Sequence, residues 1–373
     1  MKIAMDARGI NWYKGTGIGT YTDKILRYMI QNNKDNFYQI YWSGENYQDF
    51  EDVNTKIVIA SKKHHRFFEQ QYFPSNLKKE NVDIYHIPQN GIGISESIPC
   101  KKVVTIHDLI PYILPETVGR GYLSKFLREM PRILELCDGV ITVSECSKRD
   151  ILKFFPIEED KVFVTPLAAD SKYKPLDKDK CQEILREAYN ITKPFVLYIG
   201  GFSPRKNVSA LMTAFSSIHK NLDEEHDLVI VGANKDDINI LKQLSVDLNI
   251  ESNVIFTGFV QEELLPVFYN SCNVFVYPSI YEGFGLPPLE AMSCGTPVIT
   301  SDISSIPEVV GDGGILIDPF NMKSIMYSLE ALLNDESIRI ELSTKALKRA
   351  SQFSWSKTSE QTIEAYKNIL YGK

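Results

Sequence analysis

The chain has 373 residues, of which 43% are hydrophobic and 24% charged, with a formal net charge of −7. This is apolar material enough for two ordinary soluble cores, and no apolar run reaches the roughly 18 residues that a membrane-spanning helix needs. Residues 1–172 balance to +1 and the rest to −8, which argues against nucleic acid as a partner and requires any anion bound by the second half to be held by local groups.

The first residues, Met1-Lys2-Ile3-Ala4-Met5-Asp6, run straight into a strand-like pattern without a signal-peptide core, so a cytoplasmic protein is expected. Short apolar runs follow at 2–6, 37–41, 56–60, 84–88, 102–106, 139–143 and 162–165, separated by segments of helical period. That alternation predicts an α/β fold with parallel, doubly covered sheets. After the first run, Lys14-Gly15-Thr16-Gly17-Ile18-Gly19-Thr20-Tyr21 forms a glycine loop that opens a helix. It does not fit the Gly-x-Gly-x-x-Gly dinucleotide fingerprint and alone could be a flexible turn.

The segment Lys62-Lys63-His64-His65-Arg66-Phe67-Phe68 mixes cations with aromatics. It fits either an anionic membrane surface carrying a lipid-linked acceptor or a solvated helix face with core aromatics. His107 and Asp108 stand at the carboxyl end of the 102–106 run, where a histidine is expected over a cleft and Asp108 serves as a site residue or a loop cap. Ser144 and Glu145 hold the same place after 139–143 and are acceptor-side candidates.

A polar, proline-interrupted stretch at 170–180 reads as a linker between domains 1–172 and 173–352. The Asp177-Lys178-Asp179 triplet within it follows no strand and reads as solvated loop rather than a metal motif. The segment 353–373 forms a final helix with Trp355, Ile363, Tyr366, Ile369 and Leu370 on one face, expected to pack back on the first domain. The six cysteines and six histidines show no Cys-x-x-Cys and no metal-ligand spacing, so buried free thiols and no structural zinc are expected.

The second half repeats the pattern at 195–200, 228–232, 254–257, 274–277, 297–300 and 314–317. After 195–200, Arg205 and Lys206 fall where a helix's first turn is expected. Cations oppose the helix dipole there, which favours a functional role on a phosphate. After 274–277 a loop with Gly283 and Gly285 leads to Pro287 at a helix start, a backbone that can approach an anion. Glu282 lies in that loop and Glu290 is expected in the helix's first turn. Spacing alone leaves Glu290 open between complementing the dipole and binding hydroxyls.

The string EGFGLPPLEAMSCGTPVITSD, with Glu282 and Glu290 eight apart, resembles the E-x7-E region of the retaining family 4 glycosyltransferases, which have the GT-B fold. Gly200-Gly201-Phe202-Ser203-Pro204-Arg205-Lys206-Asn207 resembles the family's pyrophosphate loop, and Thr257-Gly258-Phe259-Val260 its nucleobase turn. The resemblance implies two Rossmann-like domains facing a cleft, with the acceptor bound by the first and the nucleotide sugar by the second. It implies catalytic roles for His107, Arg205, Lys206 and Glu282. Donor contacts would come from Gly17, Gly19, Gly201, Phe259, Val260, Gly283, Phe284, Gly285, Leu286 and Glu290, with Glu290 on the ribose and Glu282 on the donor sugar. No cofactor and no metal are implied, the nucleotide sugar being a co-substrate.

The His107-Asp108-Leu109-Ile110-Pro111 segment followed by Pro115-Glu116 is similar to members that use GDP-mannose in polysaccharide or O-antigen assembly. UDP-sugars and a sugar-nucleotide epimerase of the same fold are the alternatives. A nicotinamide-dependent dehydrogenase would need the fingerprint that this chain lacks.

Overall fold

The computed structural model describes residues 1–233 and 237–372, which divide into two compact units, Met1–Leu167 with Ser354–Lys373, and Ala168–Phe353. Every apolar run read above is a strand. The first unit holds β1 (Lys2–Asp6), β2 (Phe37–Trp42), β3 (Thr55–Ile59), β4 (Ile84–Ile87), β5 (Lys101–Ile106), β6 (Gly139–Thr142) and β7 (Val162–Val164). The second holds β8 (Phe195–Ile199), β9 (Asp227–Val231), β10 (Val254–Gly258), β11 (Val274–Tyr277), β12 (Val298–Ser301) and β13 (Ile315–Ile317).

All pairings are parallel. Parallel sheets need helices on both faces, and every residue of β4, β6, β8, β9 and β11 is accordingly buried. The strand orders are β3-β2-β1-β4-β5-β6-β7 and β10-β9-β8-β11-β12-β13. Each sheet starts in its middle, grows one way, then reverses. The loops after β1 and β4, and those after β8 and β11, therefore diverge to opposite faces and leave a crevice at the strands' carboxyl ends.

The first sheet is covered by the helix Gly17–Asn32 and by the terminal helix Trp355–Tyr371, which pack on each other. Trp355, Ile363 and Tyr366 are buried, and the Tyr366 hydroxyl is 2.6 Å from His86 Nδ1. Gly139 is needed beneath this helix, because a Cβ there would lie 2.3 Å from Ile369 Cδ1.

The 170–180 stretch is not all loop, as its charge pattern suggested. Asp177 accepts a hydrogen bond from Lys180 N at 3.2 Å and caps the helix Lys178–Tyr189. All six cysteines are free, four of them buried.

Candidate active site

In the second unit, the two strands that flank the sheet's reversal each end in a loop that carries charge. Beyond β8 the chain makes a 3-10 turn at Pro204–Lys206, and Asn207 takes a left-handed conformation (φ 56°) before the helix Val208–Ile218 begins. Arg205 and Lys206 therefore lie before the helix, not on its first turn as the sequence suggested. The left-handed residue closes the turn and separates the cations from the dipole that would oppose them.

Beyond β11, Glu282 is buried and its Oε1 is a hub for four donors. Arg205 Nη1 lies at 2.9 Å, Lys206 Nζ at 2.5 Å, Ser279 Oγ at 2.5 Å and the Tyr277 hydroxyl at 3.0 Å. Burial alone would push this carboxyl up, but the charges of Lys206 and Arg205 outweigh it and hold it at about 2. Glu282 is ionised at any physiological pH and cannot serve as an acid. Its role in this geometry is to hold two cations at one point. Arg205 also donates to the Tyr281 carbonyl at 2.8 Å.

The loop that follows is fastened from the neighbouring β12 loop. Ser305 Oγ donates to the carbonyls of Glu282 and Phe284, both at 2.8 Å, and Ser304 Oγ accepts from Glu282 N at 3.2 Å. Gly285 is left-handed at φ 115° and caps the helix Leu286–Ser293. The amides of Phe284, Gly285 and Leu286 have no hydrogen-bond partner among the described residues. Pro287 and Pro288 supply no N–H, so donors are concentrated at the loop's end. Gly283 belongs to the same loop and is buried.

Glu290 is the fifth residue of that helix, a turn later than expected, because the helix starts only at Leu286. It accepts from the Tyr269 hydroxyl at 3.0 Å, and burial pushes its carboxyl up to about 7. Gly201 is exposed, with nothing near its absent side chain. Beyond the edge strand β10, Phe259 is 75% exposed while Val260 is buried. Tyr277, Ser279 and Tyr269 were missed in the sequence. Tyr277 is an ordinary strand residue, Tyr269 a helix residue and Ser279 a loop residue, and only the tertiary arrangement turns their hydroxyls toward the two glutamates.

The remaining candidates lie in the first unit. His107 is only 8% exposed, more enclosed than its position at the end of β5 suggested. Its Nε2 is 2.9 Å from the Pro88 carbonyl, Asn90 Oδ1 accepts from its backbone N–H at 3.0 Å, and Tyr21 packs edge-on at 5.0 Å. Burial depresses its pKa to about 4, so it is neutral at pH 7. A neutral ring facing a carbonyl carries its proton on Nε2.

Asp108 Oδ1 accepts from Ile110 N at 3.0 Å and so caps a turn. Ser144 caps the helix Glu145–Phe154 by accepting from Ser147 N at 3.0 Å, and Glu145 sits in that helix's first turn, so both have structural explanations. Gly17 and Gly19 are not in the loop but in the first turn of the helix Gly17–Asn32. A Cβ at Gly19 would lie 2.3 Å from the Tyr13 carbonyl oxygen, and its amide already donates to Thr16 Oγ1 at 3.4 Å.

Two parallel-sheet α/β units, each with its strand order reversing in mid-sheet, have the GT-B architecture. Residues 182–352 match the glycosyl transferases group 1 family and residues 16–173 match glycosyltransferase family 4. The chain is 35% identical over 267 residues to O-antigen chain mannosyltransferase B of Escherichia coli, covering 72% of this chain and 70% of that one. It is also 31% identical over 281 residues to the serotype-specific mannosyltransferase WbdA of the same organism, covering 74% of this chain but only 34% of that longer protein. Among solved structures it resembles sucrose-phosphate synthase from Thermosynechococcus elongatus, with a TM-score of 0.79 at 19% identity and 100% of both chains covered. The chain belongs to the family 4 glycosyltransferases.

Proposed function

We propose that this glycosyltransferase moves a mannosyl group from a nucleoside-diphosphate sugar, GDP-mannose first among them, to a hydroxyl of a glycan or lipid-linked acceptor in cell-surface polysaccharide synthesis. Transfer proceeds with retention and without a metal ion. One observation carries this reading: Arg205 and Lys206 converge on Glu282 beside the three unpaired amides of Phe284, Gly285 and Leu286.

Two cations on one carboxylate leave an excess positive charge. A diphosphate can take over that charge while the amides receive its oxygens. As the anomeric bond stretches, negative charge grows on the departing diphosphate, where these groups lower its energy. Glu282, ionised, orients the cations, and the neutral His107 adds no charge. With no side chain in the second-unit site poised as a nucleophile, the leaving phosphate accepts the acceptor's proton and attack comes from the same face. Glu290 accepts from the ribose hydroxyls. The mannose choice is supported by the mannosyltransferase names of the Escherichia coli relatives.

The acceptor is met at an anionic membrane surface. Phe67 is 51% exposed and Tyr72 38%, and Lys62, Lys63 and Arg66 are exposed and in no ion pair among the described residues. No helix among the described residues is long and apolar enough to cross a membrane.

A thermal-shift panel of GDP, UDP and ADP tests the donor site. GDP should raise the melting temperature most, since a ligand of the folded state stabilises it. Protection by none of the three would end the proposal, and protection by UDP alone would reassign the donor. Product anomers read by NMR, with and without a chelator, test retention and metal independence.

A further inference from the structure

The ion cluster at the end of β1 closes on itself: Arg8 meets Asp6 and Glu69, and Gln89 Nε2 donates to Asp6 Oδ2 at 2.7 Å. A second buried polar group of the first unit is a chain that starts on the terminal helix and ends against His107. The Tyr366 hydroxyl meets His86 Nδ1 at 2.6 Å, and His86 Nε2 meets Thr105 Oγ1 at 2.7 Å. Thr105 Oγ1 in turn meets the Tyr21 hydroxyl at 3.0 Å. Tyr21, His86, Thr105 and Tyr366 are all fully buried.

Chemistry fixes the direction of this chain. Burial, and then the neighbouring His107, depress the His86 pKa to about 3, so its ring is neutral and carries one proton. His86 Nδ1 is the one partner of the Tyr366 hydroxyl among the described residues, and a buried hydroxyl proton left unpaired is costly. Tyr366 therefore donates to Nδ1, the ring's own proton is on Nε2, and Nε2 donates to Thr105.

Tyr21 is held from a second side, because the Trp355 ring, also on the terminal helix, packs against its ring at 6.3 Å. What Tyr21 meets is His107, edge-on at 5.0 Å and 85°. With Nε2 on the Pro88 carbonyl and Tyr21 across the ring, the His107 imidazole is fixed on two sides, and no described residue donates to its Nδ1. Apolar side chains would fill this space without four buried polar groups whose desolvation has to be offset. A fully paired buried network is rigid and specifies one arrangement. That rigidity is delivered to Tyr21 and, through it, to His107.

We propose that Tyr21 is a positioning residue for the transfer reaction: the terminal helix fixes Tyr21 through Tyr366, His86, Thr105 and Trp355, and Tyr21 fixes the His107 imidazole. This role rests on His107 serving the reaction, as the family resemblance implies. The test is nitrogen NMR of the intact chain with labelled histidines, on wild type, Tyr21→Phe and Tyr366→Phe. Tyr41→Phe is the control, since it removes a buried hydroxyl bonded instead to Gln39 and Asn76. In wild type, His86 and His107 should both show the Nε2–H tautomer at pH 7. In the two chain variants the His107 signals should shift or broaden. Release of GDP from GDP-mannose should fall about tenfold, the equivalent of one hydrogen bond. Thermal protection by GDP should be the same in all four proteins, because the donor site is on the second unit. The control should lose stability while keeping the wild-type His107 signals and rate.

His107 signals that stay in place in both chain variants would overturn the proposal. So would an equal shift in Tyr41→Phe, which would mark a general loosening of the core. Shifted signals with an unaltered rate would also overturn it, by taking the ring's orientation out of the reaction. If wild type neither binds GDP nor releases it from GDP-mannose, the donor assignment fails, and the His107 signals alone decide whether Tyr21 positions the ring.

Discussion

The two sheet reversals use the same topology and opposite charge balances. In the second unit Arg205 and Lys206 meet one carboxylate, Glu282, at side-chain exposures of 18%, 12% and 11%. In the first unit Arg8 meets two carboxylates, Asp6 and Glu69, with Arg8 and Asp6 wholly buried. A surplus of cations beside unpaired amides suits a diphosphate, whereas a buried guanidinium matched by two carboxylates is a closed ion cluster that ties β1, β4 and the Phe68–Tyr72 turn together. The same strand order thus accommodates an open charged loop in one unit and a sealed ion cluster in the other, set by a few side chains beyond the two central strands.

The largest effect should come from unbalancing the first crevice. Arg8→Met leaves Asp6 and Glu69 buried without their cation, a loss of about 3–5 kcal/mol of stability, read by chemical denaturation. Burial already raises the Glu69 pKa, and Arg8 opposes that rise. Without Arg8 the Glu69 carboxyl shifts further up in the folded state. The variant should therefore regain stability as pH falls toward 5, and a deficit that stayed constant with pH would contradict the charge count.

Next in size, Arg205→Ala should lower turnover about 10²- to 10³-fold, the range for losing one group that stabilises developing charge. The melting temperature should change little, because Lys206 still pairs Glu282. Unaltered turnover would remove Arg205 from the site.

The two glutamates of the second unit give a smaller, pH-dependent contrast. The folded pKa of Glu282 lies below its ordinary 4.5, so its contribution to stability is full above that value and lost as pH falls toward about 2. That of Glu290 is raised to about 7, so its contribution is full below 4.5 and lost as pH climbs through 7. An ionised carboxylate accepts from both hydroxyls of a ribose diol and holds them more strongly than the protonated form, so GDP affinity by calorimetry should be level above about pH 7.5 and fall by up to about tenfold per unit below 6.5. Affinity independent of pH between 6 and 8 would take Glu290 off the ribose.

Smallest of all, Ser144→Ala should cost about 1 kcal/mol of stability as a lost helix cap, with turnover unchanged. A drop in turnover at full stability would return Ser144 to the acceptor side.

The strands were legible because a buried parallel strand needs an unbroken apolar run, and each run such as 195–200 or 274–277 ends where chemistry begins. The Arg205-Lys206 pair and the two glutamates were legible for the same reason. Their local settings were not. The left-handed Asn207 that puts the cations before the helix, and the late helix start at Leu286 that moves Glu290 into the second turn, depend on loop conformation rather than periodicity. The Asp6–Arg8–Gln89 cluster was invisible, because β1 and β4 become neighbours only through the strand order. The isolated Asp6 and Arg8 look like an ordinary strand end.

The terminal helix has a consequence for how the molecule comes into being. Its Tyr366 bonds His86 and its Ile369 covers Gly139, so the first unit waits for residues translated after the whole of Ala168–Phe353. While the ribosome is still making Ala168–Phe353, one flank of the earlier sheet lacks its cover. A nascent chain in that interval is a natural client for chaperones that shield apolar surface.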